Sequence, residues 1–434
     1  MRNPKRKPKR WKRKKTITLR FEFFMSKQSI ITGLDIGSGT IKILSAFKKK
    51  GEENFEVLSE SQEVSSGIRR GVVIDVDKVA EIINSLANKV SQDCGQKIKE
   101  VYANIGGSHL FCNTSRGLVS VSRADQKISE EDINRVLQAA QTLSLPPNKE
   151  VLEIFPKDFI VEGEKGIKDP LGMEGVRLEV DALVVCGFSP YLKNSNQALL
   201  NSGLQILDLL PAPIASAKAV LTPREKELGV LLLDIGAGTT SLAVFEEGNL
   251  IDLAVFPVGS GNITNDIAIC LKTDMDTAEK IKIEFGTCIL EKKTKKRSPK
   301  NELMRIESLS SGEPILFSKK ILLQIIEARI GEILKEVQKE LKKIGKTNLL
   351  PAGVVLTGGG AKLPKIRDFC KRELKLSCRI GKARGFSPEI NDPALSSVCG
   401  LISEGFDSGE ERDISLSGAG IFAKIKRAFK IFIP

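Results

Sequence analysis

Apolar and polar positions along this chain sort into short buried strands broken by glycines and into helices with one apolar face. Ile30-Ile31 with Leu34, and Val230-Leu231-Leu232-Leu233, are nearly continuous apolar runs, the pattern of strands covered on both faces. Each run stops at Asp-Ile-Gly, and a second strand-like stretch follows: Ile41-Lys42-Ile43-Leu44 in one case, Thr240-Ser241-Leu242-Ala243-Val244-Phe245 in the other. Gly353-Val354-Val355-Leu356 predicts a further buried strand that ends in Thr357-Gly358-Gly359-Gly360. Behind it, Leu363, Ile366 and Phe369 carry helical spacing. The same spacing marks residues 79–87, residues 324–334, and Ile133, Val136, Leu137 and Ala140 behind the acidic start Ser129-Glu130-Glu131-Asp132. Residues 117–122 read as a strand. Strands and helices alternate, which predicts an α/β protein.

One phrase occurs twice. Leu34-Asp35-Ile36-Gly37-Ser38-Gly39-Thr40 returns as Leu233-Asp234-Ile235-Gly236-Ala237-Gly238-Thr239. A single Gly-x-Gly between strands is most simply a turn, because hairpins use glycine for geometry. Two copies, each with an Asp two residues before the first Gly, point instead to a pair of phosphate-holding loops. Glycine lets backbone N–H groups approach a phosphate, and a terminal Asp can hold Mg²⁺ through retained water. A dinucleotide-binding fingerprint needs a helix after its glycines, whereas both copies continue as strand. No Gly-x-x-x-x-Gly-Lys-Ser/Thr loop occurs. The third glycine run, 358–360, sits where a strand passes into a helix, so a phosphate or flat ring could lie against bare backbone there.

Composition narrows the chemistry. At 434 residues and 41% hydrophobic content, the chain is globular and long enough for more than one core. No apolar run approaches the length of a membrane-spanning helix, and no apolar core follows the basic N-terminus as in a signal peptide. Eight scattered cysteines form no Cys-x-x-Cys and no zinc spacing with histidine, which suits reduced, mostly buried thiols. The single histidine, His109, lies in a Gly-Gly-Ser-His turn leading into Leu110-Phe111, and a lone histidine without evident partners makes histidine-dependent nucleophilic catalysis disfavoured. Residues 1–24 carry eleven Lys and Arg against one Glu and hold most of the formal +13. Such a run reads as a solvated, disordered extension rather than a nucleic-acid arm. Met25, just before the first strand, is a natural alternative start.

The paired Asp-Ile-Gly-x-Gly-Thr loops and the Leu356-Thr357-Gly358-Gly359-Gly360 segment resemble the nucleotide motifs of the actin, Hsp70 and sugar-kinase superfamily. Within it, four longer phrases resemble the FtsA cell-division family: Ile105-Gly106-Gly107-Ser108-His109, the stretch 169–179, the stretch 259–268, and Ala278-Glu279-Lys280-Ile281-Lys282 with Phe285-Gly286. The likeness covers about residues 28 to 434. It implies an actin-like two-lobed ATPase fold with duplicated RNase H-like subdomains, an inserted α+β subdomain and a C-terminal amphipathic helix.

The implied organisation is a basic extension (1–27), a first subdomain (28–107, with 188–226 and 393–402), an insert (108–187), its counterpart in the second lobe (227–261, with 346–392), and a further subdomain (262–345). An acidic flexible linker (403–417) and a terminal helix (418–434) follow. The resemblance implies that Asp35 and Asp234 hold Mg²⁺ through water, as catalytic and metal-binding groups. It implies that Gly37, Ser38, Gly39 and Thr40 meet the phosphates of ATP from one side, and Gly236, Ala237, Gly238, Thr239 and Thr240 from the other. Gly259, Gly261 and Asn262 would line the cleft, Glu279 and Lys282 reach ribose and adenine, and Gly358, Gly359 and Gly360 face the adenosine. Several relatives place Glu or Gln before the Pro that opens the connecting helix, where it positions the attacking water. Here Ala212 precedes Pro213, so hydrolysis should at most be slow, since general-base groups are worth about 10²–10⁴ in rate.

The C-terminus carries its own pattern. At about 100° per residue, Ile421, Phe422, Ile425, Ala428, Phe429 and Phe432 share one face and Lys424, Lys426, Arg427 and Lys430 the other. That suits a helix lying in an anionic headgroup layer. The resemblance then implies a protein at the cytoplasmic face of the membrane at the division site. Such a protein polymerises, binds the C-terminal peptide of the tubulin-like FtsZ near Arg329 and Glu332, ties its ring to the membrane and recruits later division proteins. Arg329 could equally pair with Glu332. Nucleic acid is not among the expected partners. A type IV pilus assembly protein of the PilM kind is the alternative. A sugar or acetate kinase fits less well, because no substrate pocket is evident between the glycine loops.

Overall fold

The computed structural model describes residues 30–49, 51–52, 54–142, 145–289 and 303–414. The basic extension, the basic run 292–297 and the terminal helix 418–434 lie outside the described residues.

The first lobe opens with an antiparallel meander of β1 (Ile31–Ile36), β2 (Thr40–Lys48) and β3 (Phe55–Val64). A two-residue ladder, β4 (Ile68–Arg69) with β5 (Val72–Val73), leads to α1 (Val76–Cys94). Asp75 caps α1 by accepting from the Lys78 N–H, and Gly95 at φ 68° ends it. Its apolar face, with Val79, Ile83, Leu86 and Val90, is buried on the sheet. β6 (Glu100–Ile105) then returns parallel to β1.

The insert follows as β7 (Phe111–Ser120), α2 (Glu130–Gln141), β8 (Lys149–Val161), β9 (Glu164–Ile167) and β10 (Arg177–Phe188). Its four strands pair antiparallel in the order β7-β10-β8-β9, with α2 packed across them over its own core. Ser129 and Asp132 close a reciprocal capping box at the start of α2. The insert touches the second lobe through Cys112, whose thiol donates to Asp252 Oδ1 at 3.3 Å, and through Asn249, whose Nδ2 donates to the Lys157 carbonyl at 3.1 Å. His109 accepts from the Phe188 N–H at 3.3 Å and meets Tyr191 edge-on. Burial pushes its pKa down, as for a packed neutral imidazole.

Helix α3 (Ser189–Asn201) and β11 (Gln205–Pro211) complete the first sheet, in the order β11-β6-β1-β2-β3. Helices α4 (Ala212–Val220) and α5 (Pro223–Leu228) lead into the second lobe. There β12 (Val230–Ile235), β13 (Thr240–Glu246) and β14 (Asn249–Phe256) repeat the meander. Next come α6 (Ser260–Leu271), α7 (Met275–Phe285), the hairpin β15 (Leu303–Glu307) with β16 (Pro314–Ser318), and α8 (Lys319–Lys343). β17 (Gly353–Thr357), α9 (Ile366–Leu374) and β18 (Cys378–Ile380) close the second sheet as β14-β13-β12-β17-β18. Both sheets thus join three antiparallel strands to two parallel ones in one order. The duplicated phrase occupies the β1–β2 turn in one sheet and the β12–β13 turn in the other.

Two local expectations change. Residues 403–414 are not a linker: they continue α10 (Ser396–Ile414), which packs on α4 and the first sheet. Acidic sequence reads as solvated when taken alone. Here Lys218 reaches across from α4 to Glu404 at 2.7 Å and Asp407 at 2.6 Å, and Phe406 sits edge-on to Phe55. The helix after the third glycine run also starts later than its spacing suggested. Residues 359–362 form a single 3₁₀ turn, Pro364 breaks it, and Lys365 at φ 65° redirects the chain into α9.

Candidate functional site

The two glycine turns meet tip to tip between the lobes. A Cβ on Gly39 would lie 2.7 Å from the Ala237 Cβ, and one on Gly238 would lie 2.8 Å from the Ser38 Cβ. Bare backbone is therefore what allows this approach. Neighbouring segments brace each turn from behind. Ser38 Oγ accepts from the Gly71 N–H at 2.7 Å, Ser65 N–H donates to the Gly39 carbonyl at 3.0 Å, and Ser65 Oγ donates to that of Gly37. In the second turn, the Ser260 N–H reaches the Gly236 carbonyl and the Gly261 N–H that of Ala237, both at 2.8 Å. A Cβ on Gly259 would lie 2.6 Å from both carbonyls. Asn262 Oδ1 accepts from the Gly259 N–H at 2.9 Å. Gly259, Gly261 and Asn262 thus stand behind the loop, whose carbonyls are held by the Ser260 and Gly261 N–H groups, while the Gly236 N–H is itself taken by the Thr239 carbonyl at 2.9 Å. Thr240 is buried, with its hydroxyl donating to the Val258 carbonyl at 2.8 Å.

The floor of the cleft is charged. Asp35 is the penultimate residue of β1, and Lys42 of β2 reaches its Oδ2 at 2.9 Å. Asn104 fixes the other oxygen. Its Nδ2 donates to Asp35 Oδ1 and to Ser397 Oγ, while its Oδ1 accepts from the Ile36 N–H at 2.8 Å. Burial alone pulls the Lys42 ammonium down. Asp35 beside it, with Asp234 and Asp392 further off, outweighs burial and holds its pKa above the usual lysine value. Asp234 is the penultimate residue of β12 and accepts from Ser216 Oγ of α4 at 2.7 Å. Burial, together with the charge of Asp35, outweighs that bond and raises the Asp234 pKa. Two carboxylates against one lysine leave a net negative charge at the floor. Among the described residues no three His, Cys, Asp or Glu gather as a metal site. A hard cation that keeps most of its waters and leans on two carboxylates fits this donor set.

The three glycines after β17 divide their roles. Gly358 is at φ 79°, ψ 170°, and a Cβ there would lie 2.4 Å from Asp234 Oδ1. A Cβ on Gly360 would lie 2.5 Å from Ile235 Cγ2. Both are buried and pack against the end of β12, whereas Gly359 is exposed with nothing within 4 Å of its added Cβ. On α7, Lys282 is buried and pairs with Glu279 at 2.6 Å, with Thr264 Oγ1 at 2.8 Å and with the Ser260 carbonyl at 3.3 Å. Lys282 thus ties α7 to the segment that braces the second loop, and the half-exposed Glu279 is the member of the pair open to solvent.

Arg329 lies apart from the cleft, on α8. Its guanidinium grips Asp266 of α6 with Nε at 2.7 Å and Nη2 at 2.8 Å, and its Nη1 pairs with Glu332. The helical alternative for this residue is therefore formed, and Asp266 is a partner that the sequence did not suggest. Sequence reasoning also passed over Lys42, Asn104 and Ser216. Only Lys42 left a signal, as a lone charge inside the apolar run of β2.

Comparison with known proteins agrees with this geometry. The family model for cell division protein FtsA matches residues 231–400, and that for the SHS2 domain inserted in FtsA matches residues 107–186. Cell division protein FtsA of Pseudomonas aeruginosa is 32% identical over 90% of this chain and 93% of its own length. Those of Neisseria meningitidis and Bacillus subtilis are each 31% identical, over 92% and 87% of this chain and 98% and 84% of theirs. In fold, the chain is similar to the PilM-PilN type IV pilus biogenesis complex, with TM-score 0.61 and 17% identity over 86% of this chain and 98% of that one. It is also similar to ADP-bound MreB5 of Spiroplasma citri, with TM-score 0.54 and 13% identity over 89% of this chain and 99% of that one. At those identities the structural likeness speaks for the actin-like fold alone. The near full-length relatedness to cell-division proteins decides the rest: the chain belongs to the FtsA family of actin-like cell-division proteins.

Proposed function

We propose that this protein binds ATP with Mg²⁺ between its lobes, polymerises, and ties the FtsZ ring to the cytoplasmic membrane while recruiting later division proteins. The observation that carries the nucleotide part is the contact between the two glycine turns above a floor of Asp35, Lys42 and Asp234. The backbone of Gly37–Thr40 and of Gly236–Thr240 meets the phosphates, and Gly359 offers open backbone to the adenosine. Glu279 is placed to reach the ribose. Mg²⁺, held through water by Asp35 and Asp234, supplies positive charge against the phosphates when bound. Lys42 keeps its own charge at the floor because its pKa stays high. Ala212 opens α4 without a group that could orient water, and Ser216 is spent on Asp234. Slow turnover follows. Calorimetry of ATP binding tests the site: Asp234→Asn and Gly236→Val should both abolish it, and unchanged affinity in both would overturn the assignment.

FtsZ, in this reading, docks its C-terminal peptide on the second-lobe helical subdomain beside α8. Exposed Ile269, Ile283, Leu303 and Leu316 lie in that subdomain, and Arg329 stands between Asp266 and Glu332. Residues 421–432 bury their apolar face in the membrane, at roughly 1.5–3 kcal/mol for each large side chain fully buried. No helix among the described residues is long and apolar enough to cross a membrane. A polymer of such chains multiplies weak single anchors into lasting attachment. Pull-down with the FtsZ C-terminal peptide separates this reading from a pilus-assembly role.

A further inference from the structure

A second basic feature shares no residue with the nucleotide cleft. Where α4, α5 and β18 meet, a cleft of about 420 Å³ opens to solvent. Arg224, Arg379, Lys382 and Arg384 line it, against a single acid, Glu225. That acid is already spent, because Arg379 grips it with Nε at 2.7 Å and Nη2 at 2.8 Å and it also caps α5 through Thr222. Arg384 donates to the Leu221 carbonyl at 2.7 Å. Arg224 and Lys382 are exposed and form no ion pair among the described residues. Four cations therefore converge on one cavity that holds one neutralised carboxylate. One of them, Arg384, is felt next door. Lys226, held over the Phe245 ring, has its pKa pulled down to about 8 by burial and then by the charges of Lys218 and Arg384. Packing alone gives no return on such crowding of like charge, whereas an anion in the cleft would.

The position of the cleft identifies the anion. Helices α4 and α10 run side by side in the same direction, with Gly400 against Ala215 and both Glu404 and Asp407 on Lys218. α4 stops at Val220, on the wall of the cleft. α10 continues to Ile414, about 10 Å beyond the level of Asp407 at the rise of an α-helix. The described chain thus ends, at Ile414, at the end of the molecule that bears the cleft, and the basic amphipathic sequence follows that residue in the chain. The half-exposed Leu228 and buried Val220 give the cleft an apolar wall beside its cations. A free phosphate has no use for such a wall, but the glycerol side of a lipid headgroup does. We propose that this cleft takes the phosphate-bearing headgroup of an anionic phospholipid, so that the folded body and the terminal segment grip one leaflet together. This rests on the membrane-anchor reading above.

The test uses full-length, ATP-loaded protein and co-sedimentation with phosphatidylcholine vesicles doped with phosphatidylglycerol. Arg224→Ala with Lys382→Ala removes two cations from the surface and should weaken apparent affinity roughly thirtyfold, while ATP affinity, the control for folding, stays at wild type. Arg224→Lys with Lys382→Arg should restore vesicle binding. Wild-type sedimentation by the alanine pair would overturn the proposal. So would saturation of the cleft by inorganic phosphate with no loss of vesicle binding, which would make a free anion the ligand. Phe422→Glu with Phe429→Glu, in parallel, tests the anchor itself. If that pair sediments like wild type, the anchor reading fails. If it is released while the alanine pair is not, only the headgroup proposal falls.

Discussion

The three glycines after β17 give two substitutions with opposite expected effects. Gly358 holds φ 79° and ψ 170°, a region open essentially to glycine and worth about 1–3 kcal/mol of strain for any other residue. A methyl there would also sit 2.4 Å from Asp234 Oδ1 and 2.5 Å from the Ile235 carbonyl oxygen. The carbonyl is backbone and the Asp234 carboxylate is held by Ser216 through its other oxygen, so relief requires the end of β12 to shift, at about another 1–3 kcal/mol. Gly358→Ala should therefore destabilise the second lobe by roughly 2–6 kcal/mol and displace Asp234. Gly359 has no atom within 4 Å of its added Cβ and sits in a 3₁₀ turn that alanine adopts freely. Gly359→Ala should leave denaturant unfolding unchanged and still weaken ATP binding, because its methyl fills the open backbone on which the adenosine would lie. Unfolding curves and calorimetric ATP titration of both variants decide the matter. A stable Gly358→Ala, or a Gly359→Ala that binds ATP at wild-type strength, would refute this division of roles.

Other outcomes follow from the charged groups. The raised pKa of Asp234 means that the folded state holds its proton more tightly than the unfolded chain. Its contribution to stability is therefore present at low pH and falls as pH climbs from the ordinary Asp value through the raised one. Asp234→Asn should then make the nucleotide-free protein more stable at neutral pH, by thermal melting, even as it loses ATP binding. Lys42 has a profile of the same sign in a higher window: with its pKa raised above 10.5, its ion pair to Asp35 stabilises the fold through neutral pH and is lost only in strong alkali. Lys218→Ala strips a partner from the nearly buried Glu404, a change worth about 3–5 kcal/mol for a buried pair, and should speed amide hydrogen exchange over residues 403–414. Unaltered protection there would show that α10 is held by its apolar contacts alone. Arg329→Glu should break the grip on Asp266 and lower FtsZ-peptide affinity, read by fluorescence anisotropy. Intact affinity would move the docking face elsewhere.

Much of the site was legible because its signals are local. A strand, a glycine turn and a strand are encoded within about fifteen neighbouring residues. Asp35 and Asp234 stand at the strand ends where the phrase puts them, and the duplication of the phrase reappears as two sheets of one topology. The capping box at Ser129 is likewise local and is formed. What stayed hidden depends on partners distant in sequence. That Lys42 pairs with Asp35 needs only the β1–β2 hairpin, but its hold on the site needs Asn104 and Ser397, which β6 and α10 bring to it. Residues 403–414 have the composition of a linker, and they fold because partners distant in sequence receive them: Lys218 on another helix takes Glu404 and Asp407, and Phe55 takes Phe406. Arg329 had a visible neighbour in Glu332, yet its stronger partner, Asp266, belongs to another helix.

The sequence by itself determined the repeated loops, the periodicity of the main helices, the limits on chemistry set by a single histidine, and the family resemblance. Those depend on residue type and spacing, which no packing alters. The tertiary structure decided which glycines face open space and which fill against β12, how burial raises the pKa of Asp234, and where four basic residues from positions 224, 379, 382 and 384 converge. Such choices are made by distances between elements, and a free energy that depends on burial and on charge separation exists only once those distances are set.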